Sequence, residues 1–171
     1  MSKQKWFDKK FRFEFSQADF GKVLSKLSEN PEIISDLVST LPNDILVQKV
    51  DKRWSIQENV GHLIDLEELH TGRIDDFIAE KKTLRPADLN NKKTDEANHN
   101  SKNINDLLIE LKSVRENFIT RMKNLNEKVL TSTSTHPRLN QPMRPIDMAQ
   151  FVLEHDEHHI ESIKELIGKL Q

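Results

Sequence analysis

Residues 151–160 read FVLEHDEHHI, Phe151 to Ile160, and place three histidines within five positions. An α-helix turns about 100° per residue, so side chains four apart stand on one face, one turn above the other. Over the flanking sequence, Met148, Val152, Ile163, Leu166, Ile167 and Leu170 define an apolar arc. His155 and His159 fall inside that arc, whereas His158 falls outside it with Glu154, Glu161 and Glu165. The spacing therefore predicts a helix from Pro145 to about Leu170 that turns two imidazoles towards a core. Asp156 also falls near the arc, where a carboxylate needs a partner.

Three further segments carry the same period. Ser55-Ile56-Gln57-Glu58 is a capping box, and Val60, Leu63, Ile64, Leu66, Ile74, Phe77 and Ile78 continue a helix to about Lys81. Ile104, Leu107, Leu108, Leu111, Val114, Phe118, Met122 and Leu125 predict a helix from about Ser101 to Leu125. Ser16–Thr40 reads as a helix interrupted near Asn30-Pro31, because proline fits a helix interior poorly. The polar stretches Lys82–Asn100 and Asn126–Arg144 are long loops without a period. Phe11, Phe13 and Phe15 alternate with charged residues in a lysine-rich start that includes Lys3 and Lys5. No partner strand is evident, so this start reads as an extended arm whose aromatics pack on the helices. The expected fold is all-α, a four-helix bundle with long crossover loops, in one domain spanning residues 1–171.

Composition narrows the function classes. A net charge of −2 gives no general attraction to nucleic acid or membrane. The chain has no cysteine, which removes disulfides, thiolate ligands and a cysteine nucleophile together. With no apolar leader and no apolar run of membrane-spanning length, the expectation is a soluble, cytoplasmic protein. No glycine-rich phosphate loop or nucleophile-elbow motif offers a competing site.

An inward pair of imidazoles one turn apart is economically explained by a shared cation. On the second helix, His62 sits at the edge of the apolar arc and His70 nearer its centre, so periodicity leaves two candidates for a third ligand. His70 alone reads as a hydrogen-bonded core residue and His158 as a surface residue.

The sequence resembles the DinB superfamily, closest to its YfiT-like branch of metal-dependent proteins. Three segments carry the resemblance: Trp54-Ser55-Ile56-Gln57-Glu58-Asn59-Val60-Gly61-His62-Leu63, His136-Pro137-Arg138-Leu139, and Glu154-His155-Asp156-Glu157-His158-His159. In the second, Asn140 follows where relatives often carry glycine. The resemblance implies a four-helix bundle with a three-histidine site for one divalent metal ion, zinc or nickel foremost. Matched position by position, the ligands are His62, His155 and His159, which resolves His62 against His70.

Three imidazole ligands leave coordination positions open, the mark of a catalytic rather than a closed structural site. A ligating water would ionise near pH 7 by roughly the shift seen in zinc enzymes. Relatives also use low-molecular-weight thiols such as bacillithiol, mycothiol or glutathione. The expectation is thus a metal-dependent enzyme acting on a small-molecule substrate, a hydrolase or a thiol S-transferase with a low-molecular-weight thiol cosubstrate. The alternative is a non-catalytic metal-binding stress-response bundle. Relatives often pair as dimers, so the resemblance makes a homodimer one expectation, although no stripe isolates an interface. Glu58, Asp65 and Asp156 are candidates to orient the ligands through their second ring nitrogens.

Overall fold

The computed structural model describes residues 6–171. Four long helices form where the four periodic segments lie: α1 (Phe20–Val38), α3 (Ile56–Ile78), α5 (Ile104–Lys123) and α7 (Pro145–Leu170). Short helices α2 (Asn43–Val47), α4 (Lys92–Glu96) and α6 (Glu127–Thr131) lie in the connections, with strands β1 (Ser134–His136) and β2 (Gln141–Met143). Local chemistry sets the starts. The Ser55 hydroxyl accepts from the Glu58 amide (3.1 Å), and the Ser55 amide donates to the Glu58 carboxylate (2.8 Å). At α7, Pro145 occupies the first turn and the Arg144 amide donates to Asp147 (2.8 Å).

The apolar faces meet in two clusters. One holds Val23, Leu24, Leu27, Ile74, Phe77, Phe118, Met122, Met148 and Val152, and the other Ile34, Val38, Val60, Leu63, Leu107, Leu111, Ile163 and Leu166. Reading each helix from one cluster to the other gives its direction. α1 and α7 run one way, and α3 and α5 run the other. α1 and α3 each pack against both α5 and α7, so α1 faces α3 across the bundle. Because α3 and α5 are adjacent and parallel, the segment between them must return along the bundle's length. It does so by pinning Leu84 into the first cluster, then hydrogen-bonding Asp95 to Trp54 and the His99 and Lys102 carbonyls to Gln57. The expected crossover before the third long helix is thus present. The one before the fourth stays at one end of the bundle and folds into the β1–β2 hairpin.

Three details differ from expectation. α1 runs unbroken through Pro31. Residues on both sides of Pro31 bury the same face, Leu27 below and Ile34 above, and Asn30 donates to Asp156 (3.0 Å). That packing offsets the roughly 3 kcal/mol that an interior proline costs. The second difference is a strand pair, Ser134 to Met143 and His136 to Gln141, where a featureless loop was expected. Three-residue strands are too short for alternation to register. Asn140 closes this hairpin with φ 51°, a left-handed conformation that asparagine tolerates in place of glycine. Third, Phe11, Phe13 and Phe15 form no strand. Phe11 is buried against Trp6 and Phe151, so the arm packs on the bundle as expected, while Lys3 and Lys5 lie outside the described residues.

Between the two apolar clusters lies a buried polar layer comprising Asn30, Asn59, His62, Glu67, His70, Arg115, His155, Asp156 and His159. No helix among the described residues is long and apolar enough to cross a membrane.

Candidate metal centre

α3 and α7 pack side by side, and this adjacency brings His62 against the His155–His159 pair. Ring centroids lie 4.8 Å (His62–His159), 5.4 Å (His62–His155) and 4.6 Å (His155–His159) apart. One ring nitrogen from each residue lies within 4.8 Å of the others. All three side chains are buried. Burial holds the His62 imidazolium disfavoured, pulling its pKa down to about 4, and pushes His155 well below the ordinary histidine value. The like charge of neighbouring histidines adds to the effect at His155. Near neutral pH these two rings are neutral, the form in which imidazole ligates a metal.

Hydrogen bonds settle which nitrogen carries the lone pair. His159 Nδ1 meets Asn59 Oδ1 at 2.8 Å, and Asn59 Nδ2 donates to the Ser55 carbonyl at 2.8 Å. That second bond fixes the amide, so Asn59 Oδ1 can only accept, Nδ1 of His159 carries the proton, and Nε2 presents its lone pair. His62 Nδ1 meets Thr94 Oγ1 at 3.0 Å, and the same hydroxyl acts on the Asp65 carboxylate, whose pKa it lowers. A carboxylate only accepts. The Thr94 proton therefore points to Asp65, its oxygen accepts from His62 Nδ1–H, and Nε2 of His62 is the basic nitrogen. Burial raises the Asp65 pKa, but hydrogen bonds from His99 and Thr94 outweigh it and the net shift is downward. His155 Nδ1 is buried with no hydrogen-bond partner among the described residues. A buried nitrogen without a protein partner beside two oriented imidazoles fits a metal-ligating set, and three imidazole nitrogens suit a borderline divalent ion.

The remaining candidates take other roles. His70 is buried but faces Glu67 (3.5 Å) and the Phe118 ring rather than the trio. The expected surface position of His158 is corrected: it is half-buried against the Trp6 ring, because the N-terminal arm covers that side of α7. Glu58 is occupied by the Ser55 cap and by Lys49 (2.7 Å) and orients no ligand. Asp156 bonds Asn30 and Arg115 instead of a histidine. Of the three carboxylates, only Asp65 reaches a ligand, through Thr94. Asn59 stands one turn before His62 on the same face, a spacing that periodicity could have flagged. Thr94 lies on the short helix α4, inside a stretch whose sequence carries no period, and left no signal.

The trio opens onto a cleft of about 560 Å3. Trp54 packs on His62 (4.5 Å between centroids) and Trp6 on His155 (4.9 Å), bracketing the site with apolar walls. His70, Arg73, His136 and Arg138 line the same cleft.

The comparisons agree with this fold. Among solved structures, the fold is similar to that of YfiT from Bacillus subtilis, described as a probable metal-dependent hydrolase with an unusual four-helix bundle topology. The TM-score is 0.81 at 21% identity, covering 95% of this chain and 93% of that one. It is also similar to a mycothiol-dependent maleylpyruvate isomerase, with a TM-score of 0.67 at 8% identity, covering 83% of this chain and 59% of that one. At such identities the likeness shows the fold alone. No curated protein matches the sequence. The family model of the DinB superfamily matches residues 26–163, a span that contains α3, α5, most of α1 and α7 and the three histidines, and the chain belongs to the DinB superfamily.

Proposed function

We propose that the protein binds one divalent metal ion, zinc or nickel, through His62, His155 and His159, and acts as a metal-dependent enzyme on a small molecule held in the cleft. The observation that carries this reading is the convergence of three buried imidazoles, one with an orphaned nitrogen, on the wall of an open cavity. A purely structural site has no need of a cavity beside it. When bound, such an ion lowers the pKa of a ligating water or thiol towards neutrality.

The protein's own residues supply the rest. Asn59 and the Thr94–Asp65 pair hold two ligands in their orientation and tautomer. Trp6 and Trp54 limit water access, which strengthens electrostatic interactions in the cleft. The chain has no thiol of its own, and the nucleophile this reading takes is an external one at the metal: water in a hydrolase, a low-molecular-weight thiol in an S-transferase. The similarity to YfiT supports the first reading. The cleft supports the second, since its volume far exceeds the roughly 30 Å3 of one water and leaves room for a cosubstrate beside the substrate.

The test is metal content by elemental analysis of protein purified without chelator. The wild type is expected to hold about one equivalent per chain, and His155→Ala and His159→Ala to lose it. Equal metal in all three would overturn the assignment. If metal binds and chelation lowers the melting temperature, yet neither ester hydrolysis nor thiol conjugation depends on it, the bundle is a non-catalytic metal binder instead.

A further inference from the structure

Away from the three histidines, the same cleft holds two guanidiniums, Arg73 and Arg138, that no carboxylate bonds among the described residues. Arg73 lies on α3, eleven residues beyond His62, or about 16 Å of helix rise. It is only 2% exposed, yet its hydrogen bond runs from Nε to the Arg85 carbonyl (3.1 Å), and no carboxylate bonds it among the described residues. The carboxylate whose charge acts on Arg73, Asp76, is already held by Arg85 (2.9 and 3.0 Å) and Lys81 (2.8 Å). Burial lowers the Arg73 pKa only to about 10, so the guanidinium stays charged. Arg138 sits between the Phe7 and Phe151 rings (5.4 and 5.8 Å), and its Nη2 is buried without a partner among the described residues.

His136 completes the group. Its Nδ1 accepts from the backbone amides of Arg138 (3.3 Å) and Leu139 (3.1 Å), so the proton resides on Nε2. That Nε2 is buried and also lacks a partner among the described residues, and the residue is 2% exposed. The β1–β2 hairpin thus fixes an N–H donor on a residue of the cleft wall, within reach of the charges of both guanidiniums. Asp88 is the one carboxylate on the cleft wall among the described residues, and its oxygens accept from the Asn90 and Lys92 amides. Buried cations and donors left unpaired in this way are costly unless something anionic completes them.

We propose that Arg73, Arg138 and the Nε2–H of His136 form an anion subsite, so that the molecule taken into the cleft carries a carboxylate or phosphate group remote from the three-histidine end. The subsite stands on its own contacts. Its meaning as a substrate determinant rests on the metal-enzyme reading. Trp6 and Phe151 join the two ends, since Trp6 packs on both His155 and Phe151, and Phe151 on His136. The matching ligand is elongated, with an apolar middle and an anionic end.

Calorimetric titration of succinate and of inorganic phosphate into metal-stripped protein tests the subsite without interference from a metal. Arg73→Met and Arg138→Met are each expected to weaken binding about tenfold or more, as loss of a charge-assisted hydrogen bond does. Arg121→Met, at a surface pair with Asp75, should leave it unchanged. The anion that binds more tightly identifies the source chemistry. Should Arg73→Met fail to fold by circular dichroism, Arg138→Met and His136→Asn decide. The proposal is overturned if neither anion binds the wild type, or if both bind the folded cleft variants as they bind the wild type. His155→Ala separates the two readings: it should retain anion binding while losing metal, and if it keeps its metal, the ligand assignment fails while the subsite stands.

Discussion

At the scale of single residues, the site depends on side chains that orient ligands rather than on ligands alone. Asn59 and Thr94 each hold one Nδ1, so Asn59→Ala and Thr94→Val should weaken metal affinity by roughly 10–100-fold without unfolding the protein. Competition with a chromogenic chelator measures this, and unchanged affinity in both variants would show that the rings orient themselves. His136 gives a pH prediction. Burial first, then the charges of Arg73 and Arg138, lower its pKa from 6.5 to about 3. The unfolded chain therefore binds a proton between these values that the native state does not. The stability this neutral ring contributes is full above pH 6.5 and is lost as pH falls towards 3. In urea unfolding, His136→Asn should lose stability less steeply with falling pH than the wild type, by at most one proton's slope. An unchanged slope would mean that His136 does not titrate on unfolding in that range.

Elements are held in register by close approaches that leave no room for a side chain. Gly61 on α3 lies under the His99 ring, and a Cβ there would come within 2.2 Å of it. His99 is the residue that meets Asp65 (2.8 Å), and Asp65 meets Thr94, which orients His62. The returning segment between α3 and α5 is thus positioned by one missing methyl group. Gly61→Ala should destabilise by about 1–3 kcal/mol through overpacking, and weaken metal binding as well because Thr94 is displaced. A melting curve and the same chelator assay report both effects. Wild-type metal affinity in Gly61→Ala would show that the segment's position is set elsewhere. This coupling was illegible in the sequence, where Lys82–Asn100 has no period and Gly61 looks like a tolerated helix glycine.

For the whole molecule, the buried polar layer between the apolar clusters is the distinguishing feature. Arg115 on α5 contacts Glu67 on α3 and Asp156 on α7, each at 2.9 Å, and Asp156 also takes the Asn30 bond from α1. All four long helices therefore meet in one network one turn from the histidines. Burial raises the Asp156 pKa, while the charge of Arg115 and the Asn30 bond oppose that rise. Arg115→Met would leave two buried carboxylates without their cation and should cost roughly 3–5 kcal/mol in denaturant unfolding, as breaking a buried pair does. A loss below about 1 kcal/mol, the scale of an exposed pair, would show that the network is dispensable.

Periodicity alone was enough for the four long helices, the Ser55 cap, the inward pair His155 and His159, and the bundle they imply, because each is a regularity within one helix. It could not separate His62 from His70. Both are buried on α3, and only the packing of α3 against α7 brings one of them to the pair. The continuous helix through Pro31, the hairpin that fixes His136, and the partners Thr94 and Arg138 likewise came only from tertiary contacts. Helix and strand periods report which face is buried. Which buried groups meet depends on the order and direction in which the elements pack, and that is set by contacts between residues far apart in the chain.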